Sequence, residues 1–133
     1  MKKSIITSIL ILVGATALAQ KDDMTKTFDA NFAHVVYFWF NDPDDEKGRD
    51  RFEASLKKFL DNSKFAKTNF IGEPPKAVRD VVDDSFTYNL IVTFESAEAE
   101  EGYQEEAGHL AFIEECKDLW KKVIVYDALG VAP

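Results

Sequence analysis

An α+β fold is expected from this chain, a ferredoxin-like β-α-β-β-α-β plait that pairs with a second copy into a dimeric α+β barrel. Three observations predict it. FAHVVYFWF, residues 32 to 40, reads as a strand that is apolar on both faces. Two helical stretches separate four strand-like stretches in β-α-β-β-α-β order, the pattern of an antiparallel sheet with both helices on one face. Helices can cover only one side of such a sheet, so the apolar side chains on the other need a partner surface.

The chain has 133 residues, which suits one domain. Its opening residues read as a leader. MKKS supplies a positive start, IITSILILVGATALA an apolar run, and Ala17-Leu18-Ala19 a small-x-small cleavage pattern before Gln20. The expectation is a secretory signal over residues 1–19, a polar lead over 20–30, the domain over 31–129 and a tail over 130–133. The mature protein would be exported to the periplasm or the extracellular space, with no membrane association after cleavage. Losing Lys2 and Lys3 takes the basic residues from 16 to 14 against 24 acidic ones, a net charge of −10. That charge repels phosphate backbones and anionic headgroups, which excludes nucleic acid as a natural partner.

The first strand spans about Asn31 to Asn41. Side chains alternate between faces, so Phe32, His34, Val36, Phe38 and Phe40 share one side. Val35, Tyr37 and Trp39 share the other and are the candidate dimer interface. Asp42-Pro43 then predicts a helix start, Asp as cap and Pro at the first helical position. Phe52, Leu56, Phe59 and Leu60 give that helix an apolar stripe to about Asn62. Lys67 to Glu73 reads as the second strand, stopped by Gly72 and Pro74-Pro75. Residues 76–85 read as a loop or a short turn of helix.

SFTYNLIVTFE, residues 85–95, predicts the third strand, with Phe86, Tyr88, Leu90, Val92 and Phe94 on one face. Ser96 caps a helical stretch from Ala97 to about Lys122, broken near Ala107-Gly108 because glycine weakens a helix interior. Val123 to Asp127 closes as a short fourth strand. The lone cysteine, Cys116, shares helical spacing with His109, Phe112, Ile113 and Trp120, and so reads as a buried small hydrophobe.

The only histidines are His34 and His109. Both lie on faces turned toward the layer between sheet and helices. Tyr103 precedes His109 by six residues, and on an unbroken helix the two would diverge by about 120°. The break at 107–108 is therefore required for them to converge. A histidine exchanges protons near neutral pH, and a phenol can hold a carbonyl oxygen. His109, Tyr103 and His34 are the candidate catalytic or binding residues. The acidic run Glu95, Glu98, Glu100, Glu101, Glu105 and Glu106 reads as a solvated helix start, and no metal or cofactor is expected.

The segment from AHVVYFWF to IVYDAL resembles the stress-responsive A/B barrel (Dabb) domain family. The strongest match is IVTFESAEAEEGYQEEAGHLAFIE, a TFES-like turn, a tyrosine, and a histidine six residues on; GEPPKAVRDVVDDSFTYNL and the early strand histidine also fit. The resemblance implies a homodimer with a small pocket between sheet and helices, lined here by Val36, Phe38, Phe52, Leu56, Phe112 and Trp120. It implies a stress-response-type protein with a small apolar or keto ligand and no assigned reaction. One branch of the family, the olivetolic acid cyclase type, closes a ring by aldol chemistry. That branch implies, as an alternative, a cofactor-free cyclase or lyase with His109 as general base, Tyr103 and His34 assisting. Glu106 and Ala107 depart from that branch's His-Pro pair, and Leu56 from its helix tyrosine. A weaker alternative is a haem or oxygen-chemistry barrel with His109 as axial ligand, because related dimeric barrels host such reactions.

Overall fold

The computed structural model describes residues 28–131. The expected leader at 1–19, most of the polar lead and the last two residues lie outside them. Four strands and three helices follow in the order β1 (Phe32–Phe40), α1 (Glu46–Asn62), β2 (Thr68–Gly72), β3 (Tyr88–Phe94), α2 (Ala97–Glu105), α3 (Ala107–Cys116) and β4 (Trp120–Leu129). The sheet order is β2-β3-β1-β4, with every neighbouring pair antiparallel. This is the ferredoxin-like α+β plait predicted from the element order. No helix among the described residues is long and apolar enough to cross a membrane.

Burial along β1 alternates strictly. Phe32, His34, Val36, Phe38 and Phe40 are buried beneath the helices, while Ala33, Val35, Tyr37 and Trp39 stay half-buried on the outer face. The core is aromatic. The Phe52 ring of α1 lies 5.0 Å from Phe38, 5.2 Å from Phe40 and 4.7 Å from Tyr88. These edge-on and stacked contacts fill the layer with large rigid rings.

Four boundaries differ from the sequence-based expectation. First, α1 begins at Glu46 with Asp45 as its cap residue. The Asp42 carboxylate instead accepts the Asp44 amide, so Asp42-Pro43 forms a preceding turn. Second, β3 begins only at Tyr88. Thr87 bonds irregularly to β1, its amide to the Phe38 carbonyl and its hydroxyl from the Phe40 amide. Phe86 is thereby released to the outer face, where its ring meets Tyr37 at 4.9 Å.

Third, the helix break falls at Glu106, whose extended backbone (φ −58°, ψ 136°) separates α2 from α3. The Glu106 carboxylate accepts from the Lys64 amide and the Ser63 hydroxyl just after α1, which ties the break to the neighbouring helix. At Gly108 a Cβ would sit 2.9 Å from the Phe59 ring, so glycine lets α3 approach α1. Fourth, α3 stops at Cys116, and Trp120 opens β4 instead of extending the helix. Trp120 pairs with Phe40 and Lys122 with Trp39, a bulge that keeps the indole on the helix side.

The helices cover β1 and β3 but leave β4 bare. Val123, Val125 and Leu129, paired opposite Phe38, Val36 and Phe32, are 37%, 45% and 72% exposed. The inner layer is therefore open along the β4 edge.

The Ser96 hydroxyl accepts the Ala99 amide and fixes the start of α2, the helix that carries Tyr103. Replacing Ser96 by Ala is expected to lower stability by about 1 kcal/mol, the usual worth of such a cap, read as a shifted urea midpoint with an unchanged slope.

Candidate functional site

Between sheet and helices lies a cavity of about 360 Å³, reached from the open β4 edge. β1 contributes His34, Val36 and Phe38, and β3 contributes Leu90. α2 supplies Tyr103 and Gln104, α3 supplies His109, Phe112 and Ile113 with Lys117 at its C-terminal cap, and β4 supplies Trp120, Val123 and Val125. Phe52 and Leu56, expected in the lining, are not part of it. Both are fully buried in the aromatic core, since the side of α1 that they occupy packs directly on β1 and β3.

The break at Glu106 brings Tyr103 and His109 to the same side. Their ring centroids are 5.3 Å apart, and the Tyr103 ring also lies 6.0 Å from His34. Tyr103 is only 1% exposed, wedged between Phe59 and Phe94 at 4.8 Å and 4.9 Å. That burial, reinforced by the Glu106 and Glu100 charges, pushes the phenol far above its ordinary pKa. The hydroxyl is thus held protonated as a hydrogen-bond donor.

His109 is half-buried, with Phe59 edge-on at 5.4 Å. Its Nδ1 is shielded from solvent and has no hydrogen-bond partner among the described residues. Desolvation lowers its pKa below the usual histidine value, outweighing the nearby Gln104 backbone, which acts in the other sense. At neutral pH the imidazole is uncharged and able to take a proton.

His34 is held differently. Its Nδ1 lies 2.6 Å from Asp127 Oδ1 on β4 and 3.5 Å from Glu100 Oε1 on α2. A carboxylate can only accept, so Nδ1 carries a proton toward Asp127. Gln104 Nε2 donates to Glu100 Oε1 at 2.5 Å. Glu100 and Asp127 were not singled out as site residues from sequence. Glu100 is the one buried member of an otherwise exposed or half-buried acidic run, and only the β1–β4 register places Asp127 opposite His34. Cys116 is buried, and desolvation raises its thiol pKa.

On the outer face, Val35, Tyr37 and Trp39 line a surface depression with Phe86, Asp83 and Tyr126. Tyr126 and Phe70 are 61% and 56% exposed there. The Trp39 indole donates to Ser85 Oγ, and Lys122 Nζ stands 4.3 Å above its ring.

A family model described as the stress responsive A/B barrel domain matches residues 32–129. No curated protein matches the sequence. Among solved structures, similarity extends to a Dabb family protein with a ferredoxin-like fold from Mesorhizobium loti (TM-score 0.64, 16% identity, 78% of this chain and 100% of that one). It extends also to a hydroxynitrile lyase from Passiflora edulis (TM-score 0.65, 18% identity, 76% and 94%). A third is a dimeric protein of unknown function and ferredoxin-like fold from Bacteroides fragilis (TM-score 0.60, 13% identity, 77% and 99%). At these identities the likeness is one of fold.

The lowered His109 pKa fixes a sign for stability. Between the folded value and 6.5 the unfolded chain binds more protons, so stability falls as pH drops through that window. Urea midpoints measured from pH 7 to pH 5 are expected to fall more steeply for the wild type than for His109→Gln.

Proposed function

Because the chain belongs to the stress-responsive A/B barrel (Dabb) domain family, we propose that it is an exported homodimeric binding protein that holds a small apolar ligand in the cavity beside β4. The observation that carries this reading is the cavity's composition. Its walls are mainly aromatic and aliphatic; of its polar groups, His34, Tyr103 and His109 lie ring to ring with Gln104 next to Tyr103 in the chain, and Lys117 is the one further polar residue of the lining. Such a site recognises a molecule by its apolar body and orients it through one or two oxygens. A keto or phenolic compound suits the donor phenol of Tyr103 and the neutral imidazole of His109.

The homodimer is supported by the outer face and by the dimeric relatives of the same fold. Val35, Tyr37 and Trp39 form its proposed centre, with Phe70, Phe86 and Tyr126 around them. Two copies facing each other would remove this aromatic surface from water, at roughly 25 cal/mol for each Å² of apolar area covered. Export rests on the leader-like residues 1–19 and places the protein in the periplasm or outside the cell.

A second reading, an enzyme of the lyase or cyclase type, is favoured by one contact. Tyr103 and His109 meet at 5.3 Å in the wall of an open cavity. His109 would remove a proton alpha to a carbonyl while Tyr103 donates a hydrogen bond to the oxygen where negative charge develops. Neither step calls for a cofactor. No specific observation favours the haem reading.

Native mass spectrometry of the protein from its own host is expected to give twice the mature chain mass plus a retained small molecule. Val125→Trp, placed at the cavity's exposed mouth, is expected to abolish retention and leave the dimer intact. Retention unchanged by that substitution would remove the cavity as the binding site. Trp39→Asp is expected to yield a monomer by light scattering; a dimer that survives it with unchanged dissociation would exclude the outer face. The enzyme reading requires that His109→Gln and Tyr103→Phe each slow turnover of a keto substrate by about 10²-fold or more.

A further inference from the structure

We propose that His34, Glu100 and Asp127 form a binding site for a divalent first-row metal ion, at the polar end of the inner layer and distinct in its donors from the Tyr103–His109 pair. The three side chains come from β1, α2 and β4. One potential ligand atom from each lies within 4.8 Å of the other two.

Charge is the first reason. Two carboxylates converge on a single imidazole nitrogen, Asp127 at 2.6 Å and Glu100 at 3.5 Å. One proton on that nitrogen serves one of them. A doubly protonated His34 would still leave one negative charge unmatched. The lysine and arginine ion pairs among the described residues all engage other carboxylates. Glu100 is only 9% exposed and His34 only 4%, so water screens the Glu100 charge poorly, while Asp127 faces solvent with 44% of its side chain. A divalent cation in place of the Nδ1 proton would balance both carboxylates at once.

Geometry is the second reason. Donors held 2.0–2.2 Å from a tetrahedral metal stand about 3.4 Å apart. The His34–Glu100 separation of 3.5 Å already has this value. The His34–Asp127 contact must open by less than about 1 Å to reach it. Asp127 can supply that movement, because its side chain is 44% exposed near the end of the edge strand β4. The same exposure gives the ion a way in. Gln104 donates its amide to the same Glu100 oxygen, Oε1, which fixes that oxygen beside His34 and leaves its other lone pair for an ion.

Donor type sets the class of ion. One imidazole nitrogen with two carboxylates is a borderline set that suits zinc or manganese better than magnesium or calcium. Three protein donors leave a fourth position for water. The site is hidden from sequence patterns because its ligands are spread from residue 34 to residue 127 and meet only through the β1–β4 register.

The mature protein, stripped by chelator and titrated with zinc chloride in a calorimeter, is expected to bind one ion per chain, with no heat from magnesium chloride. Glu100→Gln and Asp127→Asn, each checked for folding by circular dichroism, are expected to weaken binding at least about ten-fold. Nitrogen-15 spectra of the wild-type imidazoles should show zinc moving the His34 signals and leaving His109 in place. Absence of zinc binding up to millimolar concentration, equal affinity in both folded variants, or an unmoved His34 would each overturn the proposal. The spectra decide the matter even where a variant fails to fold.

Discussion

A four-stranded sheet with helices on one side only has one covered face and one bare face, and most of this molecule follows from how its central strand meets that condition. β1 is apolar on both faces. Beneath the helices its phenylalanines build an aromatic core with Phe52 and Tyr88. On the other face Val35, Tyr37 and Trp39 remain half-buried beside exposed Phe70 and Tyr126. The hydrophobic effect acts on both sides of the strand, yet the chain's own helices satisfy it on only one. The proposed dimer answers the remainder.

The same economy of cover creates the cavity. Three helices span β1, β2 and β3 incompletely and leave the inward side chains of β4 to solvent, so the inner layer is packed at one edge and hollow at the other. The cavity wall on the helix side depends on a single residue of non-helical backbone. Glu106 breaks the second helical region, and its carboxylate, anchored at Ser63 and Lys64, fixes the angle at which α3 returns over the sheet. Without that turn Tyr103 and His109 would point to different sides.

Electrostatics divide the polar end of the layer into two kinds of group. Tyr103 and His109 are desolvated among rings, which keeps the phenol protonated and the imidazole neutral. His34 sits between two carboxylates and faces an excess of negative charge. Two histidines a short distance apart therefore have opposite surroundings, one suited to accepting a proton from an apolar guest and the other to holding a cation.

The alternation of FAHVVYFWF, the stripe of Phe52, Leu56, Phe59 and Leu60, and the cap at Ser96 were legible because each is a local pattern read at the period of its own element. The element order then specified the plait, and the need for a break between Tyr103 and His109 followed from helical geometry alone. What could not be read locally was set by contacts distant in sequence. Thr87's bonds to β1 shortened β3 and turned Phe86 outward, Glu106 rather than Gly108 became the break through its hold on residues after α1, and a bulge drew Trp120 into β4. Phe52 and Leu56 left the cavity for the core because packing decides which side of an apolar stripe meets a neighbour and which meets space. By itself the sequence determined the elements, their order and the residues able to do chemistry. Only the tertiary structure decided that His34 would meet Glu100 and Asp127, since strand register and helix placement are properties of the whole sheet.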